Sequence, residues 1–369
     1  MTLYFLQHYW WALVSLLGAL LVFLMFVQGG QTLLYGIAKS EDEKQYLLKL
    51  FGHKWEFTFT TLVTFGGAAF ASFPLFYSTS FGGAYWLWLL ILFLFVLQAV
   101  SYEFRKHNNN LLGARTYDIF LFLNGMLGPF LIGVAVATLF SGGAYYVDKS
   151  NMCDIYRPVV STWANGWMGL DSFASPFNLL LGLVVLFAAR TLGILYAVDA
   201  LPNNLSPLRT RLKKQLLFSG VAFVALFVAF LVYLSLISGY SVGADGVPVE
   251  VKYKYFLNYT ELCWPVLLLA VGVICVLVGL VTAFFGLFSR YRSFSFWITA
   301  PGVVLAVWSL LICAAFNNTA YFPSTVDPQC SLTLYNSSSS LFTLKVMFYV
   351  SLLIPFVVWY ISAVWRKIR

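Results

Sequence analysis

Charge is scarce in this chain: 10% of its 369 residues are Asp, Glu, Lys or Arg, against roughly 25% in ordinary soluble domains. So few charges do not clothe a water-exposed surface of this size, which excludes a soluble globular protein. Histidine is scarcer still, with three residues, His8, His53 and His107. Each falls at the end of an apolar run or in a polar stretch, so no facing pair of imidazoles is expected at mid-membrane depth to hold a haem. Met25, Met126 and Met347 lie deeper, but a lone methionine in a bundle ordinarily fills core space. The five cysteines include no CxxC and no Cys/His pairing, which argues against a zinc or iron–sulfur centre. A Walker A motif, a dinucleotide glycine fingerprint and a plausible Ser/His/Asp arrangement are also missing, so nothing points to a catalytic or metal-binding residue in this chain.

What is present is apolar length. Hydrophobic residues make up 61% of the sequence, and stretches of the roughly 20 residues that cross a bilayer as helix recur along it. Nine are expected, near 9–35, 56–78, 83–102, 117–140, 176–199, 215–238, 262–287, 294–317 and 341–364. Stretches such as "WPVLLLAVGVICVLVGLVTAFFGLF" lack the period-two alternation of barrel strands. The expected fold is therefore all-α, an integral membrane helical bundle forming one polytopic domain over 1–369. Two inner loops, after the first and fifth spans, suggest two four-helix bundles plus a ninth helix. The first apolar run is too long for a cleavable signal and lacks its charged start, so it is read as a retained span. Aromatic residues crowd the span ends, as in "YWLWLL" and "WYISAVWR", where amphipathic rings suit the interface.

Lys and Arg accumulate on the cytoplasmic side of short loops. With the N-terminus periplasmic and the C-terminus cytoplasmic, the inner segments "IAKSEDEKQYLLKLFGHK", "EFRKHNNNLLGAR", "LPNNLSPLRTRLKK", "SRYR" and "WRKIR" hold 16 of the 22 basic residues. The outer segments hold four: Lys149, Arg157, Lys252 and Lys254. The net charge of +8 follows from that topology and from anionic headgroups, with no need of nucleic acid. Cys153 and Cys330 both fall in outer loops, where an oxidising compartment permits a disulfide, although their spacing alone does not establish one.

Charges within a membrane are costly unless paired or wetted, so each is a functional candidate. Glu56 opens the second span, and Glu56, Thr60, Thr64, Gly67 and Ala71 follow at spacings of four, four, three and four, which places them on one helix face. That face is small and polar. It suits a neighbouring helix, and its hydroxyls can hold water inward from the carboxylate. The plainer reading makes Glu56 a headgroup-level residue near a helix N-terminus, where negative charge is favoured anyway. Glu103 and Arg105 close the third span at the same end; two residues apart they do not share a face and are expected to pair elsewhere or to snorkel. Arg190 stands some nine residues, roughly 14 Å, from the inner end of the fifth span. A carboxylate on another span, backbone carbonyls or a cofactor propionate are all open as its partner. Lys345 lies near an outer end and is expected to snorkel.

Several of these stretches together resemble one family, subunit II of the cytochrome bd-type quinol:oxygen oxidases. The opening "YWWALVSLLGALL" is similar to the family's first span. "HKWEFTFTTLVTFGGAAFASFPLFYSTSFGGAYW" resembles its second-span signature at Trp55, Glu56, Gly66, Gly67, Phe73, Pro74 and Tyr77. "YEFRKH" is similar to the acidic-x-Arg close of the third span, and "YFPSTVDPQCSLTLYNSSSSLFTLKVM" resembles the family's C-terminal run. The likeness covers nearly the whole chain in order.

The resemblance implies a multi-pass protein of the bacterial plasma (inner) membrane that pairs with a subunit I bearing the b and d haems and the quinol loop. It implies ubiquinol or menaquinol as the electron donor, a structural quinone or lipid as a further bound component, and a small single-span accessory subunit as an additional partner. It gives Glu56 the role of a proton relay, with Thr60 and Thr64 along the route, and places Trp55, Glu103 and Arg105 at the inner end or the subunit contact. The chain also departs from the pattern. Thr58 and Thr61 replace an Asn and a second Trp, and Gln28 and Gln31 of "QGGQ" replace two carboxylates; a glutamine hydrogen-bonds but does not titrate. The alternative reading is a secondary transporter or channel with a midplane site, for which Arg190, Gln98 and Asn124 are the available polar groups.

Overall fold

The structure is a computed structural model and describes residues 1–107, 110, 112–153, 159–202, 205–243, 246–285 and 294–367. Arg157 and the "SRYR" segment lie outside the described residues. Seven helical segments among those described are long and apolar enough to cross a membrane. They are Leu3–Gln31, made of α1 (Leu3–Leu24) and α2 (Phe26–Gln31); α6 (Tyr85–Phe104); α7 (Ala114–Ser141); α8 (Pro176–Ala200); α9 (Ser206–Leu236); α11 (Cys263–Phe285); and α12 (Ser295–Ala315). An eighth is the pair α14 (Leu341–Ser351) and α15 (Ile354–Lys367), bent by 44°.

The remaining expected span, 56–78, is helical but broken. Helix α4 (Trp55–Ser72) ends at Phe73, whose φ of −134° and ψ of 66° leave the helical region before Pro74. Proline has no N–H to donate and disfavours helix at the residue before it. The chain continues as α5 (Pro74–Tyr77) and a π-helical turn, Ser78–Gly83, and runs directly into α6.

Glycines set the closest helix contacts. A Cβ on Gly29 of α2 would lie 1.9 Å from the Ala189 carbonyl oxygen of α8, and one on Gly193 of α8 would lie 2.4 Å from the Gly30 nitrogen. Backbone therefore packs on backbone there, as small residues allow within a membrane. Through α1 and α2, which also meet α12, the first and second halves of the chain share one core.

The inner segment expected as a loop folds as an amphipathic helix, α3 (Glu41–Gly52). Ser40 accepts from the Glu43 backbone N–H while the Glu43 carboxylate accepts from the Ser40 N–H, a reciprocal cap. Contacts gather the Lys/Arg-rich segments at one end of the bundle: Arg211 of α9 reaches Glu43, the Tyr46 hydroxyl donates to the Ala200 carbonyl, and Lys54 lies 5.3 Å from the Trp365 ring centroid. At the other end, three loops are knitted together. Strands β1 (Tyr145–Val147) and β2 (Ser161–Trp163) form one antiparallel pair, β3 (Gly239–Val242) and β4 (Pro248–Val251) another, and bridges tie Gly143 to Ser324 and Ser241 to Thr319. Helices α10 (Lys254–Glu261) and α13 (Leu334–Ser337) complete that layer. Cys153 and Cys330 are free thiols; Cys330 Sγ instead lies 3.6 Å from the Val147 carbonyl oxygen.

Candidate functional site

Helix α4 presents the expected face, and the chain leaves it uncovered. Glu56, Thr60, Thr64 and Gly67 are all exposed, and a Cβ added at Gly67 would meet nothing within 4 Å. The opposite side of α4 is buried through Thr58, Leu62, Gly66 and Ala69, with the Thr58 hydroxyl donating to the Leu24 carbonyl at 3.0 Å. The neighbouring helix that such a small, polar face suits is therefore not supplied by the described residues of this chain. Thr60 donates to the Glu56 carbonyl at 2.7 Å and Thr64 to the Thr60 carbonyl at 2.7 Å. Each hydroxyl has thus committed its proton to the helix backbone and keeps its lone pairs for a donor such as water.

At the base of this face, Trp55 is half-buried and stacks on Tyr102 at 6.3 Å between centroids. Glu103 points outward and is exposed. Arg105 turns inward instead: its Nε donates to Asp118 Oδ1 at 2.6 Å, and its Nη2 to Asp118 Oδ2 at 3.2 Å and to Glu41 Oε1 at 2.9 Å. Arg105 and Glu103 thus separate, one into a buried ion pair between α6 and α7, the other to the surface. The partner, Asp118, escapes a sequence reading because it sits at the start of an apolar run whose hydropathy masks it.

The buried amides within the bundle each take part in a hydrogen bond. Gln28 Nε2 donates to Gln98 Oε1 at 3.2 Å, Gln31 Nε2 to the Tyr102 hydroxyl at 3.2 Å, and Asn124 Nδ2 to the Leu94 carbonyl at 3.0 Å. The two glutamines of "QGGQ" thus serve as neutral links from α2 to α6. Among the described residues Arg190 meets neither a carboxylate nor a backbone carbonyl. Its guanidinium donates to three neutral side-chain oxygens, those of Thr32, Ser219 and Gln215, at 2.6, 3.2 and 3.4 Å. Sequence offers no signal for that choice, since the three acceptors come from two distant segments.

A cavity of about 170 Å³ opens between α1, α7, α8, α9, α11 and α12. Val22, Phe140, Val184, Phe227, Val276 and Val303 are among its lining residues, and every lining side chain is apolar. Such a cavity takes hydrocarbon rather than an ion. Among the described residues no group of three or more His, Cys, Asp or Glu is placed to hold a metal ion. His8 lies near the start of α1 with Nδ1 2.8 Å from the Tyr4 carbonyl oxygen, His53 caps α3, and His107 follows α6. None of these imidazoles projects into the middle of the bundle.

The comparisons with known proteins point to one family. The "probable cytochrome oxidase subunit 2" of Haemophilus influenzae is 26% identical over 99% of this chain and 95% of its own length. The cytochrome bd-I ubiquinol oxidase subunit 2 of Escherichia coli is 25% identical over 96% of this chain and 92% of its own, and the cytochrome bd ubiquinol oxidase subunit 2 of Bacillus subtilis is 25% identical over 87% and 83%. A chain of the bd oxidase from Geobacillus thermodenitrificans superposes over 97% of both chains with a TM-score of 0.59 at 13% identity, a likeness of fold. The profile of cytochrome bd terminal oxidase subunit II matches residues 6–368, nearly the full length, and the chain belongs to that family.

Proposed function

We propose that the open face of α4 is where this chain meets the haem-bearing subunit, and that Glu56 takes up protons at the Lys/Arg-rich end and passes them along that face. The chain is subunit II of a bd-type quinol oxidase, an oxygen-reducing complex of the bacterial inner membrane in which it is paired with subunit I. The observation that carries the reading of the site is the uncovered run Glu56, Thr60, Thr64 and Gly67. A carboxylate and two hydroxyls facing hydrocarbon would be costly, so a protein partner or enclosed water is the economical neighbour.

Reduction of oxygen to water consumes one proton for each electron. In this reading Glu56 accepts a proton from water at its mouth and returns it to water held beside Thr60, whose Oγ accepts the hydrogen bond. Thr64 repeats the arrangement one turn further on. Subunit I would hold the b and d haems and take electrons from ubiquinol or menaquinol. The residues of this chain do not fit haem ligation, because its three histidines stand at helix ends, and no step is assigned to a haem here. With Lys39, Lys44, Lys49 and Lys54 cytoplasmic, the N-terminus is periplasmic and the route starts inside. The apolar cavity suits the hydrocarbon tail of a structural quinone or a lipid, and an accessory single-span subunit has the exposed apolar faces of α11 and α15 to pack on. The transporter or channel alternative is not favoured, since the chain belongs to the oxidase subunit family over nearly its full length and the cavity is wholly apolar.

The test is Glu56→Gln in the assembled oxidase. Quinol-driven oxygen consumption is expected to fall on the order of tenfold or more, as for loss of a proton-transfer group, with the reduced-minus-oxidised haem spectrum unchanged. Wild-type turnover in that variant would overturn the relay, and loss of the haem spectrum would assign Glu56 to assembly instead.

A further inference from the structure

We propose that Arg190 and Gln215 form a binding site for the phosphate group of an anionic phospholipid, in the leaflet at the Lys/Arg-rich end of the bundle. Arg190 on α8 sends its guanidinium to α9 and to the segment after α2, and every acceptor it meets is neutral. Among the described residues it takes part in no ion pair, and the three acidic groups at this end that do form ion pairs hold other cations. Glu41 and Asp118 hold Arg105, and Glu43 holds Arg211. A guanidinium offers five N–H groups in a fixed fork; three hydrogen bonds leave donors to spare and the whole charge without a counter-ion. Such a charge in a membrane-embedded helix needs an anion or water.

Beyond the three acceptors, what stands beside it adds donors. Thr32 gives its own hydroxyl proton to the Gly29 carbonyl at 2.6 Å, so it only accepts from Arg190. Gln215 accepts from Arg190 through Oε1, which leaves its amide NH2 as the free end. Lys214, the next residue on α9, is exposed. The site therefore presents a guanidinium edge and an amide NH2 with an ammonium nearby, the complement of an oxyanion. It is open to one: Arg190 and Gln215 are only partly buried.

The surroundings select a lipid over a free anion. Helices α8 and α9 run antiparallel, so Phe187, three residues before Arg190, and Phe218, three after Gln215, both lie one turn deeper. Their rings are 6.1 Å apart and close the groove beneath the guanidinium. Beyond it Leu217, Phe218 and Val221 are 56%, 63% and 59% exposed, an apolar track that starts where the phosphate would sit and leads toward the bilayer centre. An acyl chain attached to the phosphate would cover that track, whereas inorganic phosphate would leave it bare.

The experiment uses the purified oxidase with its partner subunit, stripped of exchangeable lipid and titrated with phosphatidylglycerol, phosphatidylcholine or inorganic phosphate, with bound molecules counted by native mass spectrometry. Wild type is expected to retain one phosphatidylglycerol more than Arg190→Gln, whose affinity at that site falls about tenfold or more, the scale of a lost charge-assisted pair. Gln215→Glu supplies a carboxylate beside Arg190 within the chain. It is expected to lose the same lipid while keeping haem content and melting temperature, because the internal carboxylate replaces the lipid charge. Equal phosphatidylglycerol binding by all three proteins overturns the proposal. Displacement of the lipid by millimolar inorganic phosphate reassigns the site to a free anion and overturns the lipid as its occupant. Where either variant fails to assemble, wild type decides: equal retention of phosphatidylcholine and phosphatidylglycerol overturns the proposal, and selective retention of the anionic lipid supports it.

Discussion

Arg105 and Asp118 form a two-pronged ion pair, Nε to Oδ1 at 2.6 Å and Nη2 to Oδ2 at 3.2 Å, with only 8% and 3% of the two residues exposed. Glu41 adds a second carboxylate at 2.9 Å, and Lys44 approaches Asp118 at 3.9 Å. The cluster thus fastens α3 to the ends of α6 and α7.

Removing one member of that buried pair leaves the other charge uncompensated. Asp118→Asn keeps the shape and is expected to destabilise the subunit by about 3–5 kcal/mol, read as a lower melting temperature of the complex. Glu41 has a largely exposed side chain, so Glu41→Gln should cost about 1 kcal/mol or less. Equal effects from the two variants would show that Asp118 does not anchor the cluster.

Acid should loosen α3 through Glu43. Burial alone would raise this carboxyl, but the Lys39 backbone N–H, the Arg211 guanidinium and the Ser40 N–H together hold it below its ordinary value of 4.5. A carboxyl whose folded value lies below its unfolded one contributes stability in full above about pH 4.5 and loses it as the pH falls through the folded value. Wild type is therefore expected to be more stable than Glu43→Gln above that point, with the two converging at lower pH. Denaturation midpoints measured against pH check this; a gap that stays constant as the solution is acidified would count against it.

Two glycines predict opposite outcomes. At Gly29 a methyl group would collide with the Ala189 carbonyl oxygen, so Gly29→Ala should cost about 1–3 kcal/mol or more by forcing α2 from α8. Gly67 faces open space within this chain, so Gly67→Leu should leave the subunit's own melting unchanged. It should nevertheless reduce co-purification of subunit I, because the added side chain fills a face proposed as the contact. Full recovery of subunit I with Gly67→Leu would place that contact elsewhere.

Much of this was legible in the residues. The apolar runs mark the long helices because a bilayer selects for length and hydropathy alone. The spacing of Glu56, Thr60 and Thr64 was enough to put them on one face, since helical period is a local property. Ser40 and Glu43, three residues apart, carry the signature of a helix start that marks α3, but the surrounding charges read as an inner loop. Pro74 announces the break in the second span, although the apolar residues on either side read as continuous. The 44° bend between α14 and α15 carries the same kind of marker in Pro355, the second residue of α15, although the apolar residues around it also read as one span.

The sequence by itself determined the class of protein, the Lys/Arg-rich and Lys/Arg-poor ends of the bundle, and the polar face of α4, because each depends on composition or on neighbours a few residues away. Only the tertiary structure decided that this face is uncovered, that Arg105 turns in to Asp118 while Glu103 turns out, that Gln28 and Gln98 join, and that Arg190 finds neutral oxygens and no carboxylate. The reason is physical. Partners separated by tens or hundreds of residues are chosen by backbone approach, here the glycine-to-backbone contacts of α2 on α8, and pair distances across a packed bundle leave no periodic trace in the chain.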